Sequence, residues 1–374
     1  MIEEYSALTK EVKFNKIFLL SDLHFGIRGN SLEWLQNQIQ FFKEFYIPFL
    51  KENVKKDDIL FILGDIHDNR QLIDINVLNN TISLIEELSK IIRVYILTGN
   101  HDIYKKFDTD INSLVSFKYI KNVFIIEKPT IITNGDSDIL VLPWIGDKDA
   151  EEKWIKNNKA DYIFLHADIY GFKYDNGKEI NKGVNFSTVK VKRVFGGHIH
   201  KRQESEKLIY IGSPYHTKRS DIGNQKGVYI FDPSKNEYKF FENKISPIFQ
   251  RVHLDSILDL TIDDVVKIFS NNYTDIIVPD KWIHLFNLTK FIELLSNCNY
   301  KKIETINERK QVSSEISDIL DDVDIRDIPT LLNLSIKELK QEDKILEKLQ
   351  ELNKKYYEKA TKFVEELNYN SINN

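Results

Sequence analysis

Short apolar runs alternate with stretches of helical spacing through the first two thirds of the chain. KIFLLS at Lys16–Ser21 predicts a strand, and so do Asp58–Leu63 and Ile91–Leu97. Between the first two, Leu32, Leu35, Ile39, Phe42, Tyr46 and Phe49 recur every three or four residues, which predicts a helix running to about Pro48. Asn30 and Glu33 read as the capping pair that opens it. Ile75–Lys90 predicts a second helix. Further strands are expected at Val123–Ile126, Ile139–Leu142, Tyr162–Leu165, Arg193–Phe195, Leu208–Ile211 and Gly227–Phe231. Strand–helix–strand alternation followed by denser strands predicts a layered α/β domain, with sheets between helices.

The pattern changes after about residue 250. Residues 251–310 read as strand, helix, strand, helix, strand, without clustered histidine or aspartate. From Ser313 an acidic segment leads into helix-forming sequence. There Ile345, Leu349, Leu352, Tyr356, Ala360, Phe363 and Leu367 make a long apolar stripe. Three regions follow: 1–250, 251–310 and 311–374.

Composition narrows the class. A chain of 374 residues suits two or three domains, and 42% hydrophobic with 29% charged residues is an ordinary globular balance. The longest apolar runs are strand-sized, far short of a membrane span. The opening MIEEYSALTKEVKF has no apolar stretch of the kind that makes a secretory signal. The lone cysteine, Cys298, excludes an internal disulfide framework and fits a reducing cytoplasm. A net charge of −5 excludes coating of nucleic acid by bulk charge. Contact with DNA would need a local basic patch, a bound metal or a partner.

The chemistry sits behind the strands. Five polar clusters each follow an apolar run: Ser21-Asp22-Leu23-His24, Gly64-Asp65-Ile66-His67-Asp68, Gly99-Asn100-His101-Asp102, Leu165-His166-Ala167-Asp168 and Gly197-His198-Ile199-His200. Six of the nine histidines lie within them; His216, His253 and His284 do not. Taken singly, each has a plain structural reading, such as an aspartate capping a turn or a satisfied core histidine. Five in a row point instead to one edge of a sheet, where α/β folds build their sites. Gly99 is expected to let the chain turn sharply at the third cluster.

Asp, Asn and His without Cys make a site for a borderline-to-hard divalent ion, with enough ligands for two. If Asp22 and Asp65 are its anionic ligands, two divalent ions keep an excess of roughly two positive charges. That excess attracts a phosphate ester and acidifies a bridging water, and the neutral amide of Asn100 preserves it.

The order D-x-H, G-D-x-x-D, G-N-H-D, H-x-D, G-H-x-H resembles the calcineurin-like metallophosphoesterases. The resemblance implies an α-β-β-α sandwich. It also implies that Asp22, His24, Asp65 and His200 bind one metal and that Asp65, Asn100, His166 and His198 bind another. His101 would orient the phosphate and protonate the leaving oxygen, with Asp102 holding its imidazole and Asp68 helping to place it. Manganese is the expected metal, with magnesium as the alternative.

GDIHDNR, VLPW at 141–144, HADIYG, YIGSPYHTKRSD and KGVYIFD resemble one branch of that family more closely. It comprises the SbcD-type nuclease subunits of DNA-repair complexes and their tailed-phage relatives. The branch implies 3′→5′ exonuclease activity on duplex DNA and endonuclease activity on single strands, by attack of a metal-activated hydroxide. It implies a nuclease domain over 1–250, a DNA-positioning cap over 251–310, and a linker and tail over 311–374. That tail would bind an SMC-like coiled-coil ATPase of the SbcC type, and the chain would form a homodimer. His67 replaces the usual apolar or aromatic residue and has no assigned role.

For DNA contact, Lys190, Lys192, Arg193, Lys201, Arg202, Lys218 and Arg219 flank the last histidine cluster in sequence. Two other readings stand beside this one. The first is a phosphoesterase of the same family acting on nucleotides or phosphoproteins. The second is a scaffold with a vestigial site, against which the intact ligand set argues.

Overall fold

The computed structural model describes residues 5–105, 108–296, 298–307 and 348. The chain divides into two compact units, Met1–Glu308 and Arg309–Asn374. The apolar stripe at 345–367 and the whole region proposed as a partner-binding tail lie outside the described residues, Lys348 apart.

Two sheets stack face to face. The first runs Glu237–Glu242, Gly227–Asp232, Ile17–Leu20, Ile59–Ile62, Arg93–Leu97, Val123–Ile126, its last four strands parallel. The second runs Leu8–Glu11, Thr130–Thr133, Asp138–Leu142, Tyr162–His166, Arg193–Gly197, Leu208–Tyr210, Gln203–Ser205. Its central four strands, Asp138–Leu142 through Leu208–Tyr210, are parallel as well.

Strand period explains the layers. Phe18, Leu20, Leu60, Ile62, Val94 and Ile96 face the helices, against Phe41, Phe42, Tyr46, Leu84 and Leu88. Their neighbours Ile17, Leu19, Ile59, Phe61, Tyr95 and Leu97 face the second sheet and meet Ile139, Val141, Tyr162, Phe164 and Phe195. The far side of the second sheet is covered by the helix Lys148–Asn157 and by Ile169, Phe172, Ile180, Val184 and Phe186. The result is an α-β-β-α sandwich whose inner strands are buried on both faces, which is why they read as continuous apolar runs.

Two local expectations are corrected. The first long helix does not stop at Pro48. Leu32–Gln40 passes through a π-helical stretch, Phe41–Tyr46, into Ile47–Asn53, and the wider π turn ends just before Pro48, which lacks an amide hydrogen. Nor do Asn30 and Glu33 form a capping pair: Asn30 accepts from Asp74 N at 3.4 Å, and Glu33 accepts the Tyr273 hydroxyl at 2.7 Å.

A third sheet, Phe249–His253, Tyr273–Val278 and Lys302–Asn307, is parallel throughout and carries the helices Ile262–Phe269 and Leu288–Leu294 in its crossovers. It meets the first long helix through stacked rings. Trp34 lies 5.3 Å from Tyr273 and 5.9 Å from Phe249, with Arg28 over the indole at 4.8 Å. Arg219 adds ion pairs to Asp275 at 3.0 Å and to Glu304. No helix among the described residues is long and apolar enough to cross a membrane.

Candidate dinuclear metal centre

Each of the five polar clusters begins where a parallel strand ends, all on one edge of the sandwich. The turns are laced together by backbone hydrogen bonds. Asp22 N donates to Gly64 O at 3.1 Å, His24 N to Asp65 O at 3.0 Å, and Phe25 N to Ile66 O at 2.8 Å. Asp22, His24, Asp65 and His198 all adopt positive φ, at 54°, 46°, 55° and 89°. Non-glycine residues rarely take that conformation, and four at one spot mark backbone held in place for its side chains.

The side chains converge in two adjoining groups. Asp22, His24 and His200 offer ligand atoms within 4.8 Å of one another, and so do Asp65, His166 and His198. Asp65 lies between them: its Oδ2 is 3.3 Å from His166 Nε2 and 3.6 Å from His24 Nε2. Asn100 Oδ1 belongs to the second group, 2.9 Å from His166 Nε2 and 2.8 Å from His198 Nδ1. All seven residues expected as metal ligands are thus brought together. His24, Asp65 and His101 form a third overlapping group.

The donor set fits a divalent ion. It has carboxylates, imidazoles and an amide but no thiolate. His24 Nε2 is buried without a hydrogen-bond partner, an arrangement too costly to leave unfilled. Burial works to lower His24 and His166, yet the carboxylates around them raise both to about 9. Burial likewise opposes ionisation of Asp65, but His166, His101 and His24 hold it well below the usual carboxylate range. The centre favours positive charge, whether carried by protons or by metal ions.

The turn glycines also make room for neighbouring turns. The chain does turn at Gly99, where Asp102 N donates to Gly99 O at 3.3 Å, but without a positive φ at the glycine. A Cβ there would collide with the Asp65 carboxylate and its backbone nitrogen. At Gly197 a Cβ would strike Ser21 Oγ and Leu63 O. The turns approach so closely that only glycine fits.

The third cluster is wired differently from the expectation. Asp102 does not hold the His101 imidazole. Its carboxylate accepts four backbone amides: Asp65 at 2.9 Å, Ile66 at 3.0 Å, His67 at 3.2 Å and Gly99 at 2.9 Å. It clamps the second turn to the third. The His101 ring is held instead by the backbone carbonyl of Asp68, 2.7 Å from Nδ1. The Asp68 carboxylate turns to His24 Nδ1 at 3.2 Å. His67 points away, stacked on Phe117 at 5.8 Å and bonded to Ser113 Oγ at 2.9 Å.

Trp144, from VLPW, packs 5.0 Å from the His198 ring and 6.1 Å from His166, walling the second group. Two carboxylates unassigned from the sequence also approach the histidines: Asp168 lies 3.3 Å from His198 Nε2, and Asp175 lies 3.6 Å from His200 Nδ1. Asp168 could have been found as the acid of its motif. Asp175 belongs to no motif and only the folded segment reveals it.

The basic residues divide, with Lys201 and Lys218 meeting at Asp175 beside His200 and others drawn away. Lys192 pairs with Asp161 at 2.8 Å and Arg193 bonds Asn236 at 3.2 Å, both at the start of the strand whose far end bears His198. Five residues of strand put them roughly 15 Å from the site. Arg202 meets Glu204 at 3.5 Å, Lys218 meets Asp175 at 3.0 Å, and Arg219 is engaged by the third sheet. Charge-paired cations offer less to a polyanion than the sequence count suggests.

Comparison with known proteins agrees with this geometry. Exonuclease subunit 1 of Enterobacteria phage T4 is 26% identical over 327 residues, covering 85% of this chain and 91% of its own. A protein described as phosphoesterase 244L of Invertebrate iridescent virus 6 is 29% identical, over 62% of this chain and 82% of its own. Phosphoesterase 078R of Invertebrate iridescent virus 3 is 25% identical, over 67% and 70%. The model of the calcineurin-like phosphoesterases matches residues 15–202, a span that contains every residue of the two ligand groups. With half its length matched and the ligand-bearing turns inside that half, the protein belongs to the calcineurin-like phosphoesterase family.

Proposed function

We propose that this chain is the nuclease subunit of a DNA recombination and repair assembly, hydrolysing phosphodiesters with two divalent metal ions. The observation that carries the reading is the pair of adjoining ligand groups with Asp65 between them. Asp22, His24, Asp65 and His200 would hold one ion, and Asp65, Asn100, His166 and His198 the other. Manganese is the proposed metal, with magnesium as the alternative, since half the ligands of each site are carboxylate or amide oxygens. Two such ions, when bound, supply charge neutralisation for the phosphodiester and lower the pKa of a water.

The chain's own residues supply positioning and the proton. Asp22, His24, Asp65 and His166 are buried. His101 is less buried than these four, and its Nδ1–H donates to the Asp68 carbonyl, leaving Nε2 as the nitrogen open to substrate. Burial lowers the His101 imidazole, which favours its neutral form. An anionic phosphodiester beside Nε2 raises it again. Protonated there, His101 holds the phosphate and donates its proton to the departing 3′ oxygen.

DNA as substrate and a second subunit as partner are supported by the phage T4 relative, whose name states both an exonuclease and a subunit and which the chain matches over nearly its whole length. On this reading the chain cleaves duplex ends 3′→5′ and single strands internally. Residues 1–250 are the nuclease domain, 251–310 position DNA, and the 311–374 tail binds an SMC-like ATPase of the SbcC type. The chain works as a homodimer in the cytoplasm of a bacterium or of a phage host. Lys201, Arg202 and Lys218 remain as DNA contacts nearest the histidines.

The purified chain, loaded with manganese, should bind two ions and degrade end-labelled duplex and circular single-stranded DNA. His101→Ala should keep both ions and DNA binding and lose cleavage. Hydrolysis of nucleotides or phosphoproteins with DNA untouched would replace this reading by the other family activity. Undiminished cleavage by His101→Ala would reject the acid.

A further inference from the structure

We propose that Asp168 and Asp175 are positioning residues that orient the imidazoles of His198 and His200, so that one segment sets a histidine of each ligand group. The inference rests on the reading of those groups as metal sites.

The His198 ring has one nitrogen toward the centre and the other toward a carboxylate, and the His200 ring, packed on His24, has Nδ1 toward a second carboxylate. His198 Nδ1 lies 2.8 Å from Asn100 Oδ1, while its Nε2 lies 3.3 Å from Asp168 Oδ1. The His200 ring lies 4.5 Å from the His24 ring, and its Nδ1 lies 3.6 Å from Asp175 Oδ2. Asp168 Oδ1 and His200 Nδ1 are buried and make no hydrogen bond, so the 3.3 and 3.6 Å approaches are charge contacts that a small ring rotation would close. A carboxylate on the outer nitrogen fixes tautomer and ring plane and strengthens the inner nitrogen as a ligand.

Both carboxylates are themselves held. Tyr174 donates its hydroxyl to Asp168 Oδ2 at 3.0 Å. Asp175 receives Lys218 Nζ at 3.0 Å and the backbone N–H of Lys201 at 2.9 Å. The segment between them is tied down at both ends. Tyr210 OH donates to Ala167 O and accepts from Ile169 N, each at 2.7 Å, and Gln203 Nε2 donates to Lys173 O at 2.6 Å. Ile169 and Phe172 are buried in the outer core, which keeps the backbone that carries the two aspartates in place. A loop that served only to cover the sheet would not need two acids aimed at two ligand histidines.

The test is manganese titration of the full-length, metal-free chain, with free ion counted by electron paramagnetic resonance. Asp175→Asn should weaken one of two sites by about 10–100-fold and leave the other unchanged, and Asp168→Asn should do the converse. In a His24→Ala background, Asp175→Asn should add nothing further, whereas Asp168→Asn still should. Asp→Glu at either position should recover part of the loss. Native affinity at both sites in both Asn variants overturns the inference. So does equal loss of both ions together with a lower melting temperature of the metal-free variants, which would mark the segment as merely structural. A native chain that binds no manganese would sink the proposed function, and this inference with it.

Discussion

The imidazole of His101 is anchored through Nδ1 to the backbone carbonyl of Asp68, 2.7 Å away, and not to any side chain. The Asp68 carboxylate, 3.2 Å from His24 Nδ1, serves a different ring. Substituting Asp68 by Ala should therefore leave His101 where it is and slacken His24. Activity lost in Asp68→Ala should return as manganese is raised, while that lost in His101→Ala should not. Cleavage assays across a manganese series separate the two, and a His101→Ala variant rescued by metal would contradict the assignment.

Asp102 acts on the backbone. Four amides, from Asp65, Ile66, His67 and Gly99, lose their acceptor in Asp102→Ala. Buried donors left unpaired make this a folding defect of about 3–5 kcal/mol rather than a selective loss of catalysis. Urea unfolding of the metal-free chain measures it. A change below about 1 kcal/mol would show that the clamp is dispensable.

Gly99→Ala should displace Asp65, because the new methyl meets both its carboxylate and its rigid backbone nitrogen. Since Asp65 lies between the two ligand groups, manganese uptake should fall at both together. Uptake of two ions at native affinity would show that the turn yields.

His216 is buried and accepts the Phe249 N–H through Nδ1 at 3.3 Å, and burial pushes it down to about 4. Its folded value lies below the ordinary 6.5, so the stability gained from the neutral ring is complete above pH 6.5 and is lost as pH falls toward 4. The full loss is roughly 3 kcal/mol. His216→Asn keeps an acceptor for Phe249 and should flatten this acid limb. Melting curves from pH 7 to pH 4 would show it, and parallel curves for the two proteins would refute it.

The inner strands were legible because burial on both faces writes them as unbroken apolar runs, as at Ile59–Leu63. The edge strands were not. Leu8–Glu11 is exposed at every residue, and Glu237–Glu242 mixes charged with aromatic residues. Each is a strand only because a neighbour offers its backbone. Residue type and order showed enough donors for two ions, since the identity of a donor atom is local chemistry, and the family resemblance named the seven expected ligands. Contact partners could not. Asp102 and its neighbour His101 share a motif yet not a bond, while Asp175 meets His200 from 25 positions away in sequence. The sequence by itself determined the inner strands and the chemistry of the side chains that can hold a divalent ion. Only the tertiary structure decided which group steadies which ring, because that depends on where the turns lie once the two sheets have packed.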